Sequence, residues 1–113
     1  MLTNGAEVSY IEIGVSDASK SKLFLEQMFG WKFRPFGQGA EGWFQTPSVK
    51  AGIHGDDPGQ GFLVFFGVAD LEVAIADVIR LGGTAGAPSE ESGFGKFCIC
   101  RDPQGLRFGV HQP

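Results

Sequence analysis

Three side chains in this sequence could hold a metal ion or move a proton: Glu12, His54 and His111. One carboxylate and two imidazoles form a sensible ligand set for zinc or ferrous iron. The histidines close two copies of one short pattern, Gly52-Ile53-His54 and Gly109-Val110-His111, which lie 57 residues apart. Glu12 follows Tyr10 at strand period, so the two share one face of a strand. The plainer expectation makes both histidines rim or surface residues at strand ends. It makes Glu12 a solvated carboxylate or a partner of Arg34.

Few other motifs compete. Gly37, Gly39 and Gly42 spell G-x-G-x-x-G, but they precede a strand pattern instead of opening a helix, so the match is a chance one in a glycine-rich loop. No G-x-S-x-G, Walker or C-x-x-C pattern occurs. Cys98 and Cys100 are read as reduced packing residues. Same-face neighbours on one strand are badly placed for a disulfide, and the adjacent sequence offers no further Cys or His for a metal. Asp102 is read as a turn residue whose carboxylate accepts from backbone amides.

The elements that must position these residues come in two copies. Tyr10 to Gly30 is echoed by Leu63 to Gly83 at an offset of 53, with Gly14-Val15-x-Asp17 over Gly67-Val68-x-Asp70. Each copy, of roughly 50 residues, is too small to bury a stable core alone, so the two are expected to pack into one body. Val8 to Val15 alternates as a strand. Asp17 caps a helix whose stripe is Ser21, Phe24, Leu25 and Met28, and Gly30 stops it. Trp31 to Phe36, Trp43 to Thr46 and Val49 to His54 read as strands. In the second copy Phe62 to Val68 is a strand. Asp70 caps a helix with Leu71, Ala74, Ile75 and Val78 inward, ended by Gly82-Gly83. Thr84 to Ala87 is a short strand and Pro88 to Gly93 a polar, flexible stretch. Phe94 to Cys100 and Arg107 to His111 make a hairpin turned by Asp102-Pro-Gln-Gly105.

Composition sets outer bounds. With 113 residues, 42% apolar and 19% charged, a single ordered domain is expected. The net charge of −4 argues against nucleic-acid and anionic-membrane binding, and mildly suits a cationic ligand. No apolar run approaches the ~18 residues of a membrane helix. Residues 1–7 lack a basic segment followed by an apolar one, so a cytoplasmic location is expected. The 11 Phe, two Trp and one Tyr exceed what one core needs. Phe24, Phe29, Phe65 or Phe66, and Phe97 are assigned to the core.

The order of these motifs resembles the vicinal oxygen chelate superfamily of glyoxalases, bleomycin-resistance proteins, fosfomycin-resistance enzymes and extradiol dioxygenases. The likeness rests on Val15-x-Asp17 and Val68-x-Asp70, on helix ends at Phe29-Gly30-Trp31 and Leu81-Gly82-Gly83, and on the Asp102-Pro-Gln-Gly105 turn. It runs from Val8 to His111. It implies an α+β fold in which two βαβββ modules form a curved mixed sheet around a cup, with helices outside. The modules would cover about 8–55 and 62–111 of one domain, 1–113, joined by a linker at 56–61. A homodimer is implied as well.

The resemblance further implies a divalent ion held by His, Glu or Gln from both modules. The matching positions here are Tyr10, Gly52, Leu63 and Gly109. Leu and Gly carry no donor and neutral Tyr is a poor one, so the usual metal site is expected to be absent and no cofactor is assigned. Glu12, His54 and His111 each lie two residues beyond such a position. They form the alternative, displaced metal set, with Glu12 as the candidate proton-moving residue. Tyr10, Glu12, Trp31, Phe33, Trp43 and His111 are the candidates for lining an aromatic cup around a small organic ligand. Three readings follow: a metal-free small-molecule-binding protein, a metal-dependent glyoxalase- or dioxygenase-like enzyme, and an accessory module without a ligand.

Overall fold

Two aspartates start the helices. The carboxylate of Asp17 accepts from the amide of Lys20 at 3.2 Å, and that of Asp70 from Val73 at 3.1 Å. Each satisfies an amide that the first helical turn leaves without a partner. Helix α1 (Ala18–Phe29) ends at Gly30, whose φ of 68° turns the chain left-handed while its amide donates to the Glu26 carbonyl. Helix α2 (Leu71–Arg80) ends at Leu81, followed by Gly82 at φ 93°. The computed structural model describes residues 5–113. The first four residues, part of the sequence read for a leader, lie outside the described residues.

The described chain divides into two compact units, residues 10–63 and residues 64–113 with the stretch up to Ser9. The first unit contains most of β1 (Val8–Gly14), then α1, β2 (Lys32–Pro35), β3 (Gly42–Gln45) and β4 (Lys50–His54). Its strands run in the order β2-β3-β4-β1. β2, β3 and β4 pair antiparallel, and β4 pairs parallel with β1. The core is Ile13, Phe44, Ala51 and Ile53 against Ala18 and Leu25.

The second unit follows a similar plan with most of β5 (Gly61–Gly67), then α2, β6 (Thr84–Ala85), β7 (Ser89–Glu91), β8 (Gly95–Arg101) and β9 (Arg107–Gln112). Its order is β5-β9-β8-β6, with β7 also pairing β8. β5 and β9 are parallel and β8 and β9 antiparallel. Leu71 and Ala74 pack on Cys98, Cys100 and Val110. The architecture is α+β, with a βαβββ order in the first copy and the same order plus one short extra strand, β7, in the second. Among the described residues no helix is long and apolar enough to cross a membrane.

Both cysteines are free and buried, as expected of packing residues. Burial, and then the neighbouring Cys98, pushes the Cys100 thiol up to about 12, so it stays protonated and unreactive. The Asp102 carboxylate accepts from the amides of Gln104 and Leu106, both at 2.8 Å, and so fixes the β8–β9 turn.

Three expectations need correction. Phe24, Met28 and Phe29 are exposed, at 62%, 63% and 53%; Ala18 and Leu25 hold the inward stripe of α1. Leu25 lies about 100° around the helix from Phe24, so once Leu25 points inward Phe24 is carried out to the edge. Residues 89–91, expected to be irregular, form β7 against β8. Every residue of that edge strand is exposed, so no apolar alternation marks it. Phe97 is only half-buried, whereas Phe65 is in the core.

Phe44 is fully buried and Phe36 is 72% exposed. Phe44→Ala is therefore expected to cost about 3–5 kcal/mol, and Phe36→Ala no more than about 0.5 kcal/mol. Urea denaturation of the two variants beside the parent measures both.

Candidate functional site

Cross-strand partners share a face, so strand register sorts the side chains of the first unit. Phe33, Phe44, Ala51 and Ile11 are successive partners on the face that α1 covers. The other face carries two parallel rows. One is Lys32, Gln45, Lys50 and Tyr10; the other is Arg34, Trp43, Gly52 and Glu12. His54, beside Gly14, belongs to this second face as well.

Four of its polar side chains form one hydrogen-bonded chain. The Tyr10 hydroxyl donates to Glu12 Oε1 at 3.1 Å. Glu12 Oε2 lies 2.5 Å from His54 Nδ1, and His54 Nε2 lies 3.0 Å from Asp57 Oδ2. Arg34, the partner expected for Glu12, plays no part in it. Imidazolium, with an N–H on both ring nitrogens, can donate to both carboxylates at once. The hydrogen bond to Glu12, opposed by desolvation and helped by Asp57, raises the His54 pKa above its ordinary value. The side chains of His54, Glu12 and Asp57 are 41%, 26% and 36% exposed, so the chain is reachable from solvent.

Two glycines make room for it. A Cβ on Gly52 would overlap the Tyr10 hydroxyl and Glu12 Oε1, and one on Gly14 would overlap Asp57 Oδ2. The loop after β4 supplies Asp57. Its amide donates to the Val15 carbonyl at 3.0 Å, and its Oδ1 accepts from Gly59 at 2.9 Å. Asp57 escaped the sequence reading because it lies in an apparent linker. Its position three residues after His54 was the available signal.

Trp43 lies on the same face, with Lys50 Nζ 4.4 Å from its ring centroid. Trp31 and Phe33 lie elsewhere. Both pack against the helix-side core, Trp31 stacked on Phe29 at 5.1 Å and Phe33 against Phe44 at 5.3 Å. Of the six lining candidates, the structure thus brings together Tyr10, Glu12 and Trp43. An apolar groove of about 270 Å³ also lies on the helix side, lined by Ile13, Val15, Phe24, Leu25 and Phe62.

His111 belongs to the second unit and is buried, at 5% exposure, contrary to the rim position expected of it. Its Nε2 donates to the Phe94 carbonyl at 2.7 Å, its Nδ1 meets Ser9 Oγ at 2.9 Å, and its ring stacks on Phe94 at 3.9 Å. The position that repeats Glu12 is Phe65, which faces Gly109 and covers it. Phe65, Phe94 and Phe97 pack edge to face at 5.4–5.9 Å. Where the first unit holds a polar chain, the second holds an aromatic cluster. Among the described residues no group of three or more His, Cys, Asp or Glu is placed to hold a metal ion.

No protein-family model matches the sequence, and no curated protein matches it. Solved structures resemble it in fold. Methylmalonyl-CoA epimerase from Mycobacterium tuberculosis has a TM-score of 0.77 at 13% identity, over 100% of this chain and 93% of that one. A variant of the Streptomyces coelicolor methylmalonyl-CoA epimerase, in complex with 2-nitronate-propionyl-CoA, has a TM-score of 0.72 at 16% identity, over 99% and 95%. Homoprotocatechuate 2,3-dioxygenase from Brevibacterium fuscum has a TM-score of 0.70 at 17% identity, over 93% of this chain and 35% of that one. The chain therefore has the fold of the vicinal oxygen chelate superfamily, as its motifs implied.

Because the folded-state pKa of His54 is raised, its contribution to stability is present below the unfolded value near 6.5 and is lost as pH rises through the folded value. NMR titration of His54 is expected to give a midpoint above that of a free histidine. Glu12→Gln should lower the midpoint. Gly52→Ala should lower it too, by pushing Tyr10 and Glu12 aside.

Proposed function

We propose that the protein is a small-molecule-binding protein of the glyoxalase/bleomycin-resistance type. It takes its ligand on the Tyr10, Glu12 and Trp43 face without a resident metal ion. The observation that carries this reading is the engagement of both ring nitrogens of His54 by carboxylates. A metal would need one of those nitrogens free and unprotonated. The positions at which the superfamily keeps its ligands are Tyr10, Gly52, Leu63 and Gly109. Tyr10 already donates to Glu12, and the other three have no donor atom. The displaced set fares no better. His111 has both nitrogens engaged within the second unit. These residues do not fit a divalent ion.

The face offers what a small organic ligand needs: a flat indole, a phenol, and an ordered carboxylate–imidazole pair. A cytoplasmic setting and a homodimer belong to this reading. One observation favours a second reading, acid–base catalysis. Glu12 is solvent-accessible and backed by His54, so it could take a proton from a bound carbon acid while the imidazolium steadies the pair.

The test is a ligand screen on tag-free protein dialysed against chelator. At least one small organic molecule is expected to bind with an affinity that chelator and added zinc, nickel or ferrous iron leave unchanged. Stoichiometric metal in the purified protein, or binding that appears only when metal is restored, would sink the metal-free reading in favour of a metal-dependent enzyme.

A further inference from the structure

The charged groups of the Trp43 face fall into two classes. Its carboxylates are already used. Glu12 accepts from Tyr10 and meets His54, and Asp57 meets His54 and accepts from Gly59. Its cations are not. Arg34 is the direct cross-strand partner of Trp43, Lys32 precedes Arg34 by one strand period, and Lys50 reaches over the indole. All three are exposed, and among the described residues none pairs with a carboxylate.

Trp43 itself is half-buried, with Arg34 as its partner on β2 and Gly52 as its partner on β4. The glycine leaves no side chain beside the ring, and the Tyr10 hydroxyl sits over that space. The result is an indole with Arg34 on its β2 flank, Lys50 over its ring and a phenol at its far edge. This local charge is opposite to the net charge of −4 carried by the whole chain. Overall acidity pointed to a cationic ligand; the composition of the face points the other way.

We infer that this face takes a planar organic anion, an aromatic carboxylate, whose ring stacks on Trp43 and whose charge lies between Arg34 and Lys50. The inference rests on the small-molecule reading above and names its ligand class. The guanidinium of Arg34 suits a carboxylate because its fork of donors matches two oxygens at once. Stacking on the indole supplies the apolar part of the recognition. Lys50, which in the free protein rests on the ring, exchanges a contact with the indole for an ion pair.

The experiment uses isotope-labelled Trp31→Phe protein, in which Trp43 is the one remaining tryptophan. Three matched probes are titrated: cinnamate, cinnamamide and cinnamylamine. The indole N–H resonance of Trp43 is followed by NMR. Cinnamate is expected to bind about tenfold or more tighter than the other two. Its advantage should shrink in roughly 0.5 M KCl. It should vanish in Arg34→Ala/Lys50→Ala, in which cinnamate and cinnamamide are expected to bind alike. Binding of cinnamylamine or cinnamamide as tight as that of cinnamate overturns the anion assignment and leaves the small-molecule reading standing. Failure of all three probes to move Trp43 also overturns it. The chelator-controlled screen then decides separately whether the protein binds small molecules at all.

Discussion

Parallel pairing of β1 with β4 sets Glu12 opposite Gly52, and the polar organisation of the first unit follows from that register. A slip of one residue would turn Tyr10 and Glu12 toward α1 and bring Ile11 and Ile13 out. The apolar residues prevent the slip. Ile13, Ala51 and Ile53 are each within 3% of full burial against the helix, so the hydrophobic face fixes what the other face presents. Packing on one side of the sheet thereby positions chemistry on the other.

The same register recurs in the second unit with a different outcome. There Phe65 stands opposite Gly109, and the ring fills the space that a side chain on the glycine would need. The histidines diverge in parallel. His54 is held by two carboxylates and reaches solvent, while His111 is buried between Phe94 and Ser9. Duplication preserved the backbone plan and the two glycines. It did not preserve the residues that face them. An apolar, self-packed cluster in one copy contributes packing, and a solvent-accessible, charged chain in the other presents polar groups.

Much of the fold was legible because it depends on local chemistry. Asp17, Asp70 and Gly30 act within a few residues of themselves, and the Asp102 turn closes on its own amides. The misreadings share a different cause. Whether Phe24 or Leu25 points inward depends on how α1 sits on its sheet, which a stripe wide enough to include both does not decide. Trp31 and Phe33 sit beside residues of opposite facing, and only pairing with β3 shows that Phe33 joins Phe44. Asp57 reaches His54 through a loop whose course is set by hydrogen bonds to Val15 and Ser16. Burial of His111 requires Phe94, 17 residues away, to lie on its ring. Long-range contacts place these side chains, and periodicity carries no information about them.

Magnitudes bear on why the Tyr10–Glu12–His54–Asp57 chain exists. Ion pairs as exposed as these contribute about 0–1 kcal/mol, because water competes for every charge. Gly52, inside β4, and Gly14, the last residue of β1, make room for them, and a glycine within a strand costs roughly 0.5–1 kcal/mol relative to alanine. The glycines thus cost about as much as the ion pairs return, so the arrangement has no net gain as a stability device. What it does provide is orientation. Glu12 is held from both sides, by a phenol and an imidazole, at a face that stays open to solvent. A carboxylate fixed in this way loses little entropy when a ligand arrives, and its charge is already balanced by a neighbour. That combination matches a binding surface organised in advance of its ligand.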